Sequence, residues 1–419
     1  MKSLSLLKNI TKDNEVYVVG GAIRDFLLNK EIKDIDLLVM FDLENVLDKF
    51  ITLTGHKKII LDKERKIYRV VTEDNKFIDF TNPVGQDLLK DLGCRDFTIN
   101  SMAVCFKDIM VSQDGIEFKR EDIIDPYSGL KDLDNKIIRM VDKNFVQNDP
   151  LRILRAFRFS NNLNFKIEEK TRAKVLAETS LLLNIKEERI KEELYHLFSK
   201  PLNPNFFRGF LNSGLVDTLF NVKTYQNEKN LQLFIKYLNN LNKQKYLEKI
   251  ELENYLINLI LFFILPILKD DISIETLKHD LIDYTFNKKK INIIGDYLFS
   301  INNILKDYKS LLNDDILIYE ELFFKSTDVT ILKYFLLNLI KAKLGAVPKK
   351  ETVIQILNKL EKMRERASFQ YINGNEIKEI LNLKEGRLIG KILKNINRKQ
   401  ALGLLNSKKE VISFLKNNY

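Results

Sequence analysis

The apolar positions fall into two regimes along the 419 residues. Up to about residue 140, short apolar runs and alternating stretches predict strands near 16–19, 35–40, 57–61, 66–72, 76–81 and 101–107. Helical periodicity predicts helices near 22–29, 43–50 and 85–91. From about 141 onward strand patterns almost vanish, and long amphipathic stretches rich in Leu, Ile, Lys, Glu and Asn predict an all-α region. Joints are expected where prolines discourage helix continuation, at Lys200 to Pro204 and at Gly345 to Pro348. The expected organisation is a head over residues 1–140, a helical neck over 141–200, a helical body over 201–345 and a helical tail over 346–419. The longest fully apolar run, Leu259 to Leu268, contains Pro266 and is about half of what a membrane span needs, so it reads as a core helix.

Two stretches of this pattern carry chemistry. In the first, the apolar run Val16 to Val19 leads into Gly20-Gly21 and then a helical pattern with Ile23, Phe26 and Leu27 on one face. A strand, a glycine turn and a helix start present free backbone N–H groups, and with Arg24 beside them they suit a phosphate. Downstream, Asp34 and Asp36 flank Ile35 at the start of the strand pattern, so alternation puts both carboxylates on one face. They repel unless a cation lies between them, and hard oxygen ligands suit Mg²⁺. A polar strand start is the plainer reading. Asp79 ends another predicted strand; lying beside the first, it would complete a three-acid, two-metal arrangement for phosphoryl transfer. Otherwise it serves turn chemistry.

In the second stretch, a helix predicted over 149–160 spaces Arg152, Arg155 and Arg158 three residues apart, with Asp149 one step before them. Leu151, Leu154, Phe157 and Phe159 can anchor it. Arginines so close together call for an anion, which a nucleoside triphosphate supplies. A helix N-cap at Asp149 and a solvated basic face are the structural alternatives.

Charge sharpens the picture. The chain carries 68 Lys+Arg against 58 Asp+Glu, yet residues 341–419 hold 18 of those cations and only 7 acids. The whole excess therefore lies in the last fifth, which points to an anionic partner for the tail rather than a generally basic protein. Two cysteines exclude a disulfide framework or a four-cysteine zinc site and suit a reducing cytoplasm. The three histidines are too scattered to suggest a metal site.

Taken together, the blocks Gly20 to Asp25, Asp34 to Asp36, Arg95 to Asn100, Asp125 to Leu133 and Asn148 to Phe159 resemble the class II tRNA nucleotidyltransferases, whose catalytic head is shared with bacterial poly(A) polymerases. The resemblance implies an α+β chain, with an N-terminal polymerase-beta-like nucleotidyltransferase head built on a mixed sheet and an all-α neck, body and tail. It implies transfer of C, as CC or as complete CCA, to the tRNA 3′ end from CTP and ATP without a nucleic-acid template. Asp34, Asp36 and Asp79 are the implied catalytic acids, the first two holding Mg²⁺. Gly20, Gly21, Arg24, Arg95, Asp149, Arg152, Arg155 and Arg158 are the implied nucleotide-binding residues. The implied partner is the tRNA acceptor arm, with no membrane.

A carboxylate accepts hydrogen bonds and a guanidinium only donates. Cytosine and adenine present an amino donor beside a ring acceptor, matching such a pair, whereas uracil and guanine present a carbonyl in the amino position. Asp149 and Arg152 are thus expected to act as a protein template. Glu188, Arg189 and Glu193 resemble a later block that steadies the base-reading helix. The chain departs from the family at Asn148 and Cys94, where an acid and an arginine are usual. The segment from Phe80 to Cys94 is short where complete CCA-adding relatives carry a flexible lever, which favours CC addition alone. A poly(A) polymerase and a catalytically inactive RNA-binding relative are the competing readings.

Overall fold

The computed structural model describes residues 2–11, 15–72, 76–111, 116–220, 288–312, 329–342, 348–383 and 386–419, with a few isolated positions besides. It divides into two compact units, Met1–Leu197 and Phe198–Tyr419.

The first unit opens with α1 (Lys2–Ile10), β1 (Val16–Val19), α2 (Gly21–Leu27), β2 (Asp34–Val39), α3 (Leu43–Thr54), β3 (Lys58–Asp62), β4 (Ile67–Val71) and β5 (Phe77–Thr81). Next come α4 (Leu88–Gly93), β6 (Ala103–Cys105), β7 (Met110–Val111), β8 (Ile116–Glu117) and β9 (Ile123–Ile124). One seven-stranded sheet runs in the order β3-β4-β5-β2-β1-β6-β9. Only β2 and β5 pair in parallel, because α3 and the β3–β4 hairpin carry the chain across between them. The sheet is therefore mixed, as the resemblance implies.

Alternation along β2 separates the core from the chemistry. Ile35, Leu37 and Val39 join Val16, Val18, Ile78 and Phe80 on one face, where Leu43, Val46, Leu47 and Phe50 of α3 cover them. Phe50 and Phe80 are wholly buried with ring centroids 5.6 Å apart; burying such a side chain is worth about 1.5–3 kcal/mol. Asp34 and Asp36 point to the opposite face, which further along holds a smaller cluster of Val19, Leu38, Leu92 and Ala103.

The strand expected over 101–107 shrinks to β6, held between 3₁₀ turns at Thr98–Asn100 and Phe106–Asp108. Two-residue strands such as β7, β8 and β9 are too short for any period to mark.

The unit continues through α5 (Gly129–Asp134), β10 (Ile137–Ile138), α6 (Phe145–Asn148), α7 (Arg152–Leu163), β11 (Lys166–Ile167), α8 (Glu169–Ala177) and α9 (Glu187–Phe198). β10 and β11 pair in parallel, and Phe97 packs edge-on against Phe145 and Phe159 at centroid distances of 6.0 and 5.7 Å. The helix expected from 149 begins instead at Arg152. Asp149 is extended, at φ −156° and ψ 103°, because a residue before proline is pushed out of the helical region and Pro150 follows it.

Among its described residues the second unit is helical, with Pro204–Leu211, Leu215–Phe220, Lys288–Lys306, Tyr308–Leu312, Val329–Ala342, Lys350–Ser368, Gly374–Leu381, Arg387–Ala401 and Lys408–Asn418. Its last three helices share a core of Ile372, Ile377, Ile392, Ile396, Leu405, Val411 and Leu415. Asn373 and Glu376 form a reciprocal capping box that starts one of them. No helix among the described residues is long and apolar enough to cross a membrane. Leu259 to Leu268 and His279 lie outside the described residues.

Candidate active site

Ten of the eleven residues singled out from the sequence line one pocket of about 620 Å³: Gly20, Gly21, Arg24, Asp34, Asp36, Arg95, Asp149, Arg152, Arg155 and Arg158. Asp79 does not line it. The pocket lies within the first unit, between the β2 acids and α7.

Gly20 joins β1 to α2 at φ 77° and ψ −132°, a region essentially closed to side-chain-bearing residues. A Cβ there would sit 2.7 Å from Arg95 Nη1 and 3.4 Å from Asp36 Oδ2. The turn thus needs glycine both for its backbone and to let the arginine approach the acid. Arg95 is aimed by Asp91, whose carboxylate accepts from Nε at 3.1 Å.

Asp34 and Asp36 share the open face of β2. Burial pushes both carboxyls above the usual range, Arg69 for Asp34 and Arg95 for Asp36 offset only part of it, and the Asp79 charge adds to the rise in both. Two hard-oxygen donors that the protein's own cations leave under-compensated fit a divalent cation completed by water and phosphate oxygens.

Asp79 reaches the place beside the β2 acids that a third acid requires, but Arg69 engages it there. Asp79 pairs with Asp36 across the parallel β2–β5 ladder. Its two oxygens accept from Nε and Nη2 of Arg69 at 2.7 Å each, and no trio of acids among the described residues is placed to hold one metal ion. Arg69 comes from β4, directly opposite Asp79. It was not singled out from the sequence, where the signal is a lone cation inside the apolar strand Ile-Tyr-Arg-Val-Val.

The arginines of α7 are less exposed to one another than their spacing suggests, because the protein supplies counter-charges. Arg155 bonds Asp96 through Nε at 2.8 Å and Nη2 at 2.6 Å, and reaches Glu193 of α9 at 3.4 Å. Arg158 bonds Glu193 at 2.8 Å. On the far side Asp96 accepts from Asn100 at 3.0 Å, and Asn100 accepts from Arg24 at 2.7 Å. Arg24 also makes a two-point pair with Asp25, and Arg24, Arg155 and Arg158 surround the Phe159 ring at 5.0, 5.5 and 4.4 Å. Asp96 and Asn100 thus link Arg24 to Arg155 from within the pocket wall.

Burial alone would raise the Asp96 carboxyl. The Arg155 charge, with hydrogen bonds from Asn100, Arg155 and the Phe97 N–H, outweighs it and holds the group at about 2. Its contribution to stability is complete above the ordinary carboxylate value of 3.8 and is lost as pH falls through about 2. Acid titration of melting temperature should show a loss on the order of 2 kcal/mol across that window. Asp96→Ala, which strands the Arg155 guanidinium, should cost about 3–5 kcal/mol at neutral pH by thermal or urea unfolding.

Asp149 and Arg152 differ from this clamped set. Asp149 is held by Arg189 of α9 at 3.1 Å and takes the Leu151 N–H at 3.3 Å. Arg152 donates Nη2 to the Cys94 carbonyl, while its Nη1 is buried without a hydrogen-bond partner. Burial lowers the Arg152 guanidinium below its usual range. A buried N–H group left unpaired on the pocket wall is what a ligand acceptor would satisfy.

A mixed sheet that sets two carboxylates over an arginine-lined pocket suits metal-assisted chemistry on a phosphate substrate. Residues 16–139 match the poly(A) polymerase head domain, and residues 164–223 match the family described as the probable RNA and SrmB-binding site of polymerase A. Over these two stretches the chain is similar to polymerase A proteins, in line with the resemblance read from its motifs. A CCA-adding enzyme of Lactobacillus gasseri is 34% identical over 226 residues, 51% of this chain and 54% of the relative. A CC-adding tRNA nucleotidyltransferase of Geobacter sulfurreducens is 35% identical over 187 residues, 44% of this chain and 40% of the relative. The chain thus spans about half the length of the curated relatives it matches. The solved structure of the Thermotoga maritima CCA-adding enzyme complexed with tRNA has the same fold, with a TM-score of 0.65 and 22% identity, covering 99% of this chain and 94% of that one. Nucleotidyltransferases of this family generally use divalent metal ions.

Proposed function

We propose that this protein extends the 3′ end of tRNA with C, as CC or complete CCA, using CTP and ATP and releasing pyrophosphate. The observation that carries the reading is the single pocket uniting the β2 carboxylates with Asp149 and Arg152. The RNA 3′-hydroxyl attacks the α-phosphorus and pyrophosphate departs. Asp34 and Asp36 would hold Mg²⁺, which when bound supplies Lewis-acid polarisation of hydroxyl and phosphate. Arg24, Arg95 and the backbone around Gly20 and Gly21 receive the phosphates. Asp149 and the unpaired Nη1 of Arg152 read the base edge, while Arg155 and Arg158, steadied by Glu193, hold the nucleotide's flank.

The domain roles follow from the same reading: a catalytic head over 1–140, a base-selecting neck over 141–200, a body over 201–345 and a tRNA-holding tail over 346–419. In the tail helix Arg387–Ala401, Ile392 and Ile396 are buried while Lys391, Lys394 and Arg398 are exposed. That one-sided charge suits a phosphate backbone recognised by shape. Two free cysteines favour the cytoplasm as its compartment.

The restriction to CC rests on the segment after β5. Within Phe80 to Cys94 a short 3₁₀ turn and α4 are folded, with Leu92 wholly buried and Asp91 fastening Arg95. Incubation with tRNA lacking its 3′ end and each nucleotide separately, read as product length, tests both levels. Extension by two with CTP supports the function. Incorporation of labelled ATP onto tRNA ending in CC refutes the restriction, and no extension with any nucleotide refutes the function.

A further inference from the structure

The sheet carries one functional pairing that lies outside the set used above. Arg69, Asp79 and Asp36 form a row across β4, β5 and β2, each opposite the next in the ladder. Both Asp79 oxygens are occupied by Arg69, whose guanidinium also lies 4.7 Å from the ring of Phe77, which shares β5 with Asp79. Arg69 lines the pocket and Asp79 does not. A carboxylate with both oxygens in a two-point pair is a poor metal ligand, but a good anchor for a planar cation.

Strand order says what that cation can serve. The nucleotide groups Gly20 and Arg24 follow β1 on one flank of β2, whereas β5 and β4 lie on the other flank. A nucleotide entering from the β1 side leaves the β4 side for the strand whose 3′-hydroxyl must reach Asp34 and Asp36. The nearest anion on that strand is the phosphodiester next to its terminal hydroxyl.

We propose that Arg69, fastened by Asp79, binds the terminal phosphodiester of the RNA being extended, and that Asp79 is its anchor rather than a metal ligand. The proposal rests on the RNA-extending reading of the site.

Two measurements test it. Binding of Mn²⁺, followed by electron paramagnetic resonance, should be lost in Asp36→Asn and stay within about twofold of wild type in Asp79→Asn. Steady-state extension by Arg69→Gln should show KM for RNA raised about tenfold or more with KM for CTP within about twofold, and Arg69→Lys should recover part of the difference. Loss of Mn²⁺ in Asp79→Asn to the extent seen in Asp36→Asn overturns the anchor role. An unchanged KM for RNA, or an equal rise for CTP, overturns the phosphate contact. Should Arg69→Gln fail to fold, Arg69→Lys and Asp79→Asn carry the same comparison. Wild-type extension is the separate control for the function itself, and the Mn²⁺ comparison reads the anchor whether or not RNA is extended.

Discussion

Asp36→Asn is expected to slow nucleotide addition by about a thousandfold or more, measured as labelled CTP incorporation in single turnover. The carboxylate faces the pocket beside Asp34, and Gly20 is shaped to let Arg95 approach it. Removing its charge removes half of the hard-oxygen pair that β2 turns to the pocket. The same substitution should leave the melting temperature unchanged or higher, because the fold holds this charge partly buried and close to Asp34 and Asp79. Activity within tenfold of wild type, in a folded variant, would remove Asp36 from the chemistry. Asp79→Asn should give a milder defect, since Asp79 acts through Arg69.

The second large effect concerns the choice of base. Arg152→Ala should cut the preference for CTP over UTP, as a ratio of kcat/KM, by about a hundredfold or more. The reason lies in an unsatisfied donor. Arg152 Nη1 is buried and unpaired, so a base bringing an acceptor there gains a hydrogen bond that a mismatched base forfeits. Asp149→Asn should act in the same direction, because an amide can turn its donor toward uracil while still accepting from Arg189. Measuring each nucleotide's kcat/KM with the same RNA decides the matter. Unaltered discrimination with reduced overall rate would make these residues general contacts and leave base choice elsewhere.

Much of this was legible before the fold was known, for identifiable reasons. The acids of β2 could be placed because alternation leaves little freedom: Ile35, Leu37 and Val39 must face the core, so Asp34 and Asp36 cannot. Gly20 and Gly21 were marked by standing between an apolar run and a helical one. What eluded the sequence was pairing across the sheet. Nothing in Ile67 to Val71 announces that Arg69 lies opposite Asp79, since the register of two antiparallel strands depends on the length of the connection between them. The same blindness let three arginines appear uncompensated, when Asp96 comes from 59 residues before Arg155 and Glu193 from 35 after Arg158. The early start assigned to α7 is different. Pro150 was in plain view, and its effect on Asp149 outweighs the helical periodicity that suggested a helix there.

The chain of bonds from Arg24 through Asn100 and Asp96 to Arg155 runs from one side of residue 140 to the other, as do the Phe97 contacts and the Met140 N–H to Thr171 hydroxyl bond at 3.0 Å. Reaction chemistry and base choice are therefore separable as roles but not as pieces. A fragment cut near 140 would bare Asp96 and the flank of Phe97, whereas one cut near 197 keeps every one of these bonds. Transplanting this catalytic portion onto a foreign selector would succeed only if the new partner brought its own guanidinium to Asp96.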